Sequence, residues 1–429
     1  MTSVELDRLR VLFSDTFGFA RGKYVPIAEA TGNLNFSLTA FGIGYDRDLI
    51  PAPGAAVLEG MGDIRAIYNP TAGRRSWQNR TEIVIADLFA DGQPLDIAPR
   101  SALRRAAESL SDAGYKPQVG IELEGYVLEQ TNDNRWIPWN TPSAHCYGTG
   151  LLADPNGLID DIMEAAAHTG IPIETAGAEY DSAQFEFTIQ YDDPLVAIDN
   201  AFLLKLLCRE KAIEHGLMFT FLGRPFNDRG GNGLHVNLSL NNSDGINVFH
   251  DPDDKNELSQ LARHAIAGLL AHHEALTALC APTVNSYKRL FSGQLSGYWA
   301  NWGYDHRSVA VRVPADRGNG TRIESRLADG SANPYLATAA LLQACQLGIA
   351  GELDPPLPEG GDGLEEVNTE RCCPENLSIA LDALEADRDL VAAIGPAIVS
   401  HFVAMKRAEW ARFSRTVTDW ELNEYLSHH

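Results

Sequence analysis

The chain has 429 residues, 45% hydrophobic and 21% charged, and its 34 basic and 58 acidic side chains leave a formal net charge of −24. So negative a balance argues against nonspecific nucleic-acid binding and against attraction to an anionic membrane. The length allows two or three domains with a large core, and no run of roughly 18 apolar residues offers a membrane span.

The opening "MTSVELDRLRVLFSD" turns acidic early and predicts an amphipathic helix over Val4 to Asp15 rather than a signal peptide. Short strand-like pieces follow, and "SWQNRTEIVIADLF" alternates as strands do. Pro94 and Pro99 punctuate the chain, and "APRSALRRAAESLSDAG" opens a helix with a glycine stop. A boundary is expected near residue 100, closing a small α+β unit. Beyond it, helices are predicted from "PLVAIDNAFLLKLLCREKAIEHG", "NELSQLARHAIAGLLAHHEALTALC", "NPYLATAALLQACQLGIAG", "LSIALDALEADRDLVAAIG" and "AIVSHFVAMKRAEWARF". The strands between them are not each followed by a helix, so the class is α+β and not a doubly wound sheet. The six cysteines fit neither a paired framework nor a zinc spacing. Cys208 and Cys345 sit in apolar helical runs as core thiols, and a reducing, cytoplasmic compartment is expected.

Four predicted strands carry polar groups on alternate positions, which places those groups on one face. In "GIELEGYVL", Glu122 and Glu124 share a face and repel each other unless a cation neutralises them. A solvated strand face is the plain alternative. In "AEYDSAQFEFTIQY", Glu179 precedes a turn, and Gln184, Glu186 and Thr188 share a face. In "GLHVNLSL", His235, Asn237 and Ser239 lie opposite an apolar row, directly after the glycine loop "RGGNG". In "TRIESRL", Glu324 stands between Arg322 and Arg326, and upstream "RSVAVRVP" sets Arg312 opposite Val309, Val311 and Val313, with Arg307 at its entry.

The combination is more specific than any part. Five glutamates (Glu122, Glu124, Glu179, Glu186, Glu324) and His235 make a mostly oxygen ligand set, which suits Mg²⁺ or Mn²⁺ rather than structural zinc. Arg289, Arg307, Arg312, Arg322 and Arg326 suit phosphate and carboxylate, because the planar guanidinium binds either bidentately. Divalent metals beside an arginine cluster equip a site for phosphoryl transfer. No GxxxxGK[ST] loop is present, so a nucleotide would need another cradle.

In order along nearly the whole chain, "GIELEGYVL", "AEYDSAQFEF", "GNGLHVNLSL", "NSYKRL", "HRSVAVRVP", "TRIESRLADGSANPYLATAA" and the ending "DWELNEYL" resemble the glutamine synthetase superfamily. The resemblance implies an N-terminal β-grasp domain over residues 1–100 and a catalytic domain over 101–429, with an antiparallel sheet and flanking helices. It implies a homo-oligomer, a dodecamer of two stacked hexameric rings with active sites between neighbouring subunits. It implies ATP as substrate, two or three Mg²⁺ or Mn²⁺ per site, and two-step chemistry in which the γ-carboxylate of glutamate is phosphorylated and an amine then displaces phosphate. Glu124, Glu179 and Glu186 would hold one metal, and Glu122, His235 and Glu324 the second. Arg289 would clamp a glutamate carboxylate, while Arg307 and Arg326 would hold the transferred phosphoryl group. Arg312 and Arg322 would face the ATP phosphates, Glu174, Tyr191, Asn237 and Ser239 would contact nucleotide, and Gly231 would meet glutamate.

Departures from the family pattern bear on the nucleophile. Ammonia-using members carry a flap glutamate after the arginine of "NSYKR"; a gap-free count puts Leu295 there. The acid of an "FDGSS"-like stretch has no match in "SLTAFGIGYDRD", the glycine loop carries Gly230 in place of asparagine, and Asn237 replaces a second histidine. No counterpart of the adenylylated tyrosine is found. Ammonium needs carboxylates to bind and deprotonate it. Leu295, with Trp299 and its neighbours Tyr298 and Trp302, suits an amine that carries carbon, unless those aromatics are core. The expected activity is therefore ligation of glutamate to methylamine or another small monoamine, with ethanolamine or a polyamine next. Glutamine synthesis from ammonium and a catalytically silent assembly or regulatory protein are the alternatives.

Overall fold

A computed structural model of the chain describes residues 6–141, 144–365 and 367–429. The first hundred residues are strand-rich, with two four-stranded sheets. One is built on Arg8–Ser14, which pairs antiparallel with Ala20–Pro26 and parallel with Thr81–Ile85. The other joins Asn33–Ser37, Asp63–Ile67, Asp87–Ala90 and Gln93–Pro94. Leu9, Val11, Phe13, Ile64, Ala66 and Leu88 belong to the core cluster of this region.

The expected opening helix is thus a strand over its described part, Arg8–Ser14; the first five residues lie outside the description. The reason is visible in "RLRVLFS". Leu9, Val11 and Phe13 alternate and are buried, and the strand sits between two others, where β-branched and aromatic residues pack well.

The remainder is organised by a nine-stranded sheet. Its path runs Ile173–Ala178, Gln184–Asp192, Lys116–Gln130, Leu234–Asn241, Ile323–Ser325, Val311–Val313, Trp302–Tyr304, with two further strands paired on Lys116–Gln130. Register fixes the faces. Ile121 lies opposite Val236 and Ile189, and Leu123 opposite Leu234 and Phe187, so one face is apolar. Helix Pro194–Glu214 is among the elements packed on it. The same register puts every chemistry-bearing residue of these strands on the opposite face.

Two predicted helices are each broken once. The run over 256–280 becomes Gln260–Ala271 and His273–Cys280, and that over 377–395 becomes Leu377–Ala386 and Arg388–Ile394. The breaks face each other. His272 Nδ1 lies 2.6 Å from Asp387 Oδ2, and Asp387 Oδ1 also caps the second helix by accepting from Leu390 N–H. Helix Pro334–Ala350 is buried on nearly all sides, as its continuous apolar sequence requires. Cys208 and Cys345 are buried free thiols. Among the described residues no single helix is long and apolar enough to cross a membrane.

Helices Gln260–Ala271 and Pro334–Ala350 cross at two glycines. A Cβ on Gly348 would stand 2.6 Å from Gly268 Cα, and one on Gly268 would stand 2.8 Å from Gly348 N. Gly348→Ala should therefore lower stability by roughly 1–3 kcal/mol, the usual effect of overpacking. Urea unfolding should report it as a lower midpoint at unchanged slope; an unchanged midpoint would show that the helices part freely.

Candidate active site

The polar face of the large sheet carries three cross-strand rows. Glu186 lies opposite Glu124; Thr188, Glu122 and His235 form the next row; Asn237, Glu324 and Arg312 form the third. Side chains so paired stand close enough to share ligands. His235 is central. Its Nδ1 is 3.2 Å from Glu122 Oε2 and 3.6 Å from Glu324 Oε1, and its Nε2 is 3.8 Å from Glu124 Oε1.

Among the described residues, two groups present ligand atoms within 4.8 Å of one another: Glu122, His235 and Glu324, and Glu124, Glu186 and His235. The first is the triad expected for one metal. The second differs from its expected triad, with His235 in the place expected for Glu179. Glu179 faces the same cavity, but its carboxylate accepts from the neighbouring Tyr180 N–H at 2.9 Å.

The charges are unevenly held. Burial pushes the Glu186 carboxyl up to about 8, and the Glu122, Glu124 and Glu179 charges add to the effect against a counter-pull from His235. Burial and Glu124 raise Glu179 as well. Burial also works against the Glu122 charge, but hydrogen bonds with His235 and Asn237 and the nearby Arg326 hold that carboxyl below its ordinary range. Burial and Arg326 oppose a proton on His235, and Glu122, Glu124 and Glu324 outweigh them. Carboxylates gathered this closely on one face favour a bound cation among them. An oxygen-rich set with one imidazole fits Mg²⁺ or Mn²⁺ there.

The arginines surround this cluster. Glu324, 1% exposed, is paired by Arg312 at 3.0 Å and by Arg326. Arg312 also reaches Asp305 at 2.6 Å. The Nε atoms of Arg312 and Arg326 are buried without an acceptor, so each retains an unanswered donor that an anionic oxygen would satisfy. Arg289 is buried, and its guanidinium donates to the carbonyls of Leu327 at 3.2 Å and Arg326 at 3.4 Å. Among the described residues it forms no carboxylate ion pair. Gly231 packs beneath it: a Cβ there would stand 2.9 Å from Arg289 Cδ and 2.6 Å from Gly223 O. Arg307 is exposed at the cavity wall.

Two cavities meet at Glu122, which lines both. The larger, about 800 Å³, holds Glu124, Glu179, Glu186, His235, Gly231, Arg289, Arg307, Arg326 and Leu295 on its walls. The smaller, about 250 Å³, is lined by Glu174, Tyr191, Asn237, Ser239 and Arg322, the residues expected at a nucleotide together with one arginine expected at its phosphates. Arg322 Nε donates to Asn237 Oδ1 at 3.1 Å, and Asn237 Nδ2 donates to Glu122 Oε1 at 3.1 Å, so one chain of polar contacts crosses from one cavity to the other.

Trp299 does not line either cavity. Its indole N–H donates to Leu364 O at 2.7 Å, and Trp302 is buried with its indole on Pro356 O. Both aromatics brace the 356–364 loop, and Leu364, like Leu295, lines the large cavity. Asp181 was not expected here. It lines the large cavity, and its Oδ2 accepts from Gly230 N–H at 2.6 Å and Tyr126 O–H at 3.1 Å. Its sequence signal was weak, an acid in a turn two residues after Glu179.

Residues 96–425 match the family model described as "Glutamine synthetase, catalytic domain". A glutamine synthetase of Thermotoga maritima is 36% identical over 351 residues, covering 80% of each chain. A glutamate–methylamine ligase of Methyloversatilis universalis is 33% identical over 440 residues, covering 96% of this chain and 95% of that relative. A solved structure of GmaS without ligand superposes with a TM-score of 0.86 at 33% identity, covering 98% of this chain and 97% of that one.

The metal reading predicts a pH signature. Folded Glu186 keeps a proton that the unfolded chain gives up above its ordinary 4.5, so chelator-treated protein should lose stability as pH rises from there towards about 8. Glu186→Gln should flatten that slope and raise Tm at about pH 8.5 by roughly 1–2 °C, the response to about 1 kcal/mol in a domain of more than about 300 residues. Mg²⁺ should lift the parent's Tm there more than the variant's. Scanning calorimetry that finds no slope, or equal Mg²⁺ responses, would remove the metal assignment from Glu186.

Proposed function

The chain belongs to the glutamine synthetase family of ATP-dependent ligases, and we propose that this member joins the γ-carboxylate of glutamate to an organic amine, a small monoamine such as methylamine ahead of ethanolamine or a polyamine. The carrying observation is Leu295, 57% exposed, on the wall of the cavity that also holds Arg289, Arg307 and Glu179. Leu295 and Leu364 put hydrocarbon on a wall that also carries Gln294 and Ser296, and that hydrocarbon supports carbon on the incoming nitrogen over a bare ammonium ion. The likeness over nearly full length to a relative named glutamate–methylamine ligase supports the same choice, while relatives named glutamine synthetase stand at similar identity.

In this reading Glu122, His235 and Glu324 hold one divalent ion and Glu124 and Glu186 a second, with Glu179 beside them. Bound metal would neutralise and orient the ATP phosphates. Glu174, Tyr191, Asn237, Ser239 and Arg322 hold the nucleotide, and Arg289 with Gly231 seats glutamate. A γ-carboxylate oxygen of glutamate attacks the γ-phosphorus of ATP, and the bond to ADP breaks. Arg307 and Arg326 take up the charge of the transferred group, Arg312 faces the ATP phosphates with Arg322, and the buried Nε donors of Arg312 and Arg326 are free to answer an anionic oxygen. The amine nitrogen then bonds to the acyl carbon, phosphate leaves, and the nitrogen gives up one proton, for which Glu179 and Asp181 are carboxylates on the same cavity. The stacked-ring dodecamer and the cytoplasmic setting belong to the same proposal.

A second reading, glutamine synthesis from ammonium, rests on Glu365. Its Oε1 stands 3.7 Å from the position a Cβ on Gly293 would take, so a neighbouring loop brings a carboxylate to the segment where the flap itself has none.

ATP-dependent phosphate release with glutamate, measured against methylamine, ethylamine, ethanolamine, putrescine and ammonium, should give the highest kcat/KM with a small monoamine. Ammonium as the best acceptor would overturn the first reading. Leu295→Glu should raise the ammonium-to-methylamine ratio of kcat/KM about tenfold, equivalent to about 1.4 kcal/mol in the transition state. Glu365→Gln should leave that ratio unchanged; a selective loss of ammonium use would favour the second reading.

A further inference from the structure

A separate cavity of about 680 Å³ shares no lining residue with the two described above. Its body is aromatic, with Phe19, Trp136 and Phe221 on the walls. One side is cationic. Lys205 and Arg209 are one turn apart on helix Pro194–Glu214 and present the same face. Lys205 Nζ donates to Gly330 O at 2.7 Å and Ala332 O at 3.1 Å, which leaves one of its three protons for a ligand. Burial lowers its pKa to about 8, against a partial counter-effect of Asp329. Arg209 has no hydrogen bond or ion pair among the described residues. The acid on the wall, Glu409, is engaged by Lys406 Nζ at 2.8 Å.

The cavity also touches the active-site loops from elsewhere. Asn285, on its wall, exchanges hydrogen bonds with the backbone of Arg224 at 2.7 and 2.8 Å, and Arg224 lines the large catalytic cavity. Ser331, also on its wall, donates its backbone N–H to the wholly buried Asp329, whose charge acts on Arg289 as well as on Lys205.

We propose that this cavity is a second small-molecule site, taking a carboxylate on an apolar body, and that its occupant acts on the Arg289 substrate clamp through Asn285 and Ser331. The binding half stands on the cavity alone, and the coupling half rests on the reading of Arg289 as the glutamate clamp. The probe is 4-phenylbutyrate, with the uncharged 4-phenylbutan-1-ol as control, titrated calorimetrically into the full-length protein with glutamate and ADP saturating. The carboxylate should bind saturably and about tenfold more tightly than the alcohol, and Arg209→Met, an exposed position that should fold normally, should weaken only the carboxylate by about tenfold. Saturating 4-phenylbutyrate should change the glutamate KM at least twofold in the parent and not in Arg209→Met. No saturable heat at millimolar carboxylate, equal binding of acid and alcohol, or an unaffected Arg209→Met overturns the site. Binding as predicted with an unmoved KM overturns the coupling alone, and an inactive protein that still binds points to failure of the proposed glutamate reaction instead.

Discussion

Mutual repulsion of carboxylates on one sheet face is the constraint around which this molecule is arranged. Antiparallel register leaves Glu122, Glu124, Glu186 and Glu324 no freedom to turn away, because their strands are pinned by the apolar residues between them. The apolar face and the charged face are therefore one decision. Slipping any of these strands by one residue would turn the acids into the apolar layer and the core residues toward the polar cavities. The charge that cannot be moved is instead balanced in place, by His235 at the centre and by Arg312 and Arg326 on Glu324.

Much of this was legible because period-two patterns report faces directly. His235, Asn237 and Ser239 against Leu234, Val236, Leu238 and Leu240 could be read without knowing which strand lay beside which. What the pattern could not give was the partner. His235 stands between two ligand groups because its strand pairs with Lys116–Gln130, and no local signal distinguishes that from an arrangement built on Glu179. Trp299 poses the reverse problem. An indole near a site in sequence can point either way, and this one is turned by a hydrogen bond to a carbonyl 65 residues on.

The helix breaks at His272 and Asp387 have the same origin. Each segment taken alone supports a continuous helix, and each is interrupted by a polar contact with the other across 115 residues. The opening strand differs. Leu9, Val11 and Phe13 alternate plainly, but the acidic residues before them fit a helix start, and the parallel partner Thr81–Ile85 lies far along the chain. Local preference lost to tertiary pairing, as it commonly does in strands.

Glu122 as the common wall of two cavities has a kinetic consequence. In the proposed reaction the nucleotide and the acyl group would sit in chambers that share Glu122 and otherwise have walls of their own, so ADP could depart while the amide is still seated. Turnover on that reading would need no single compulsory order of release, and residues on one chamber's wall could set its exit without disturbing the other.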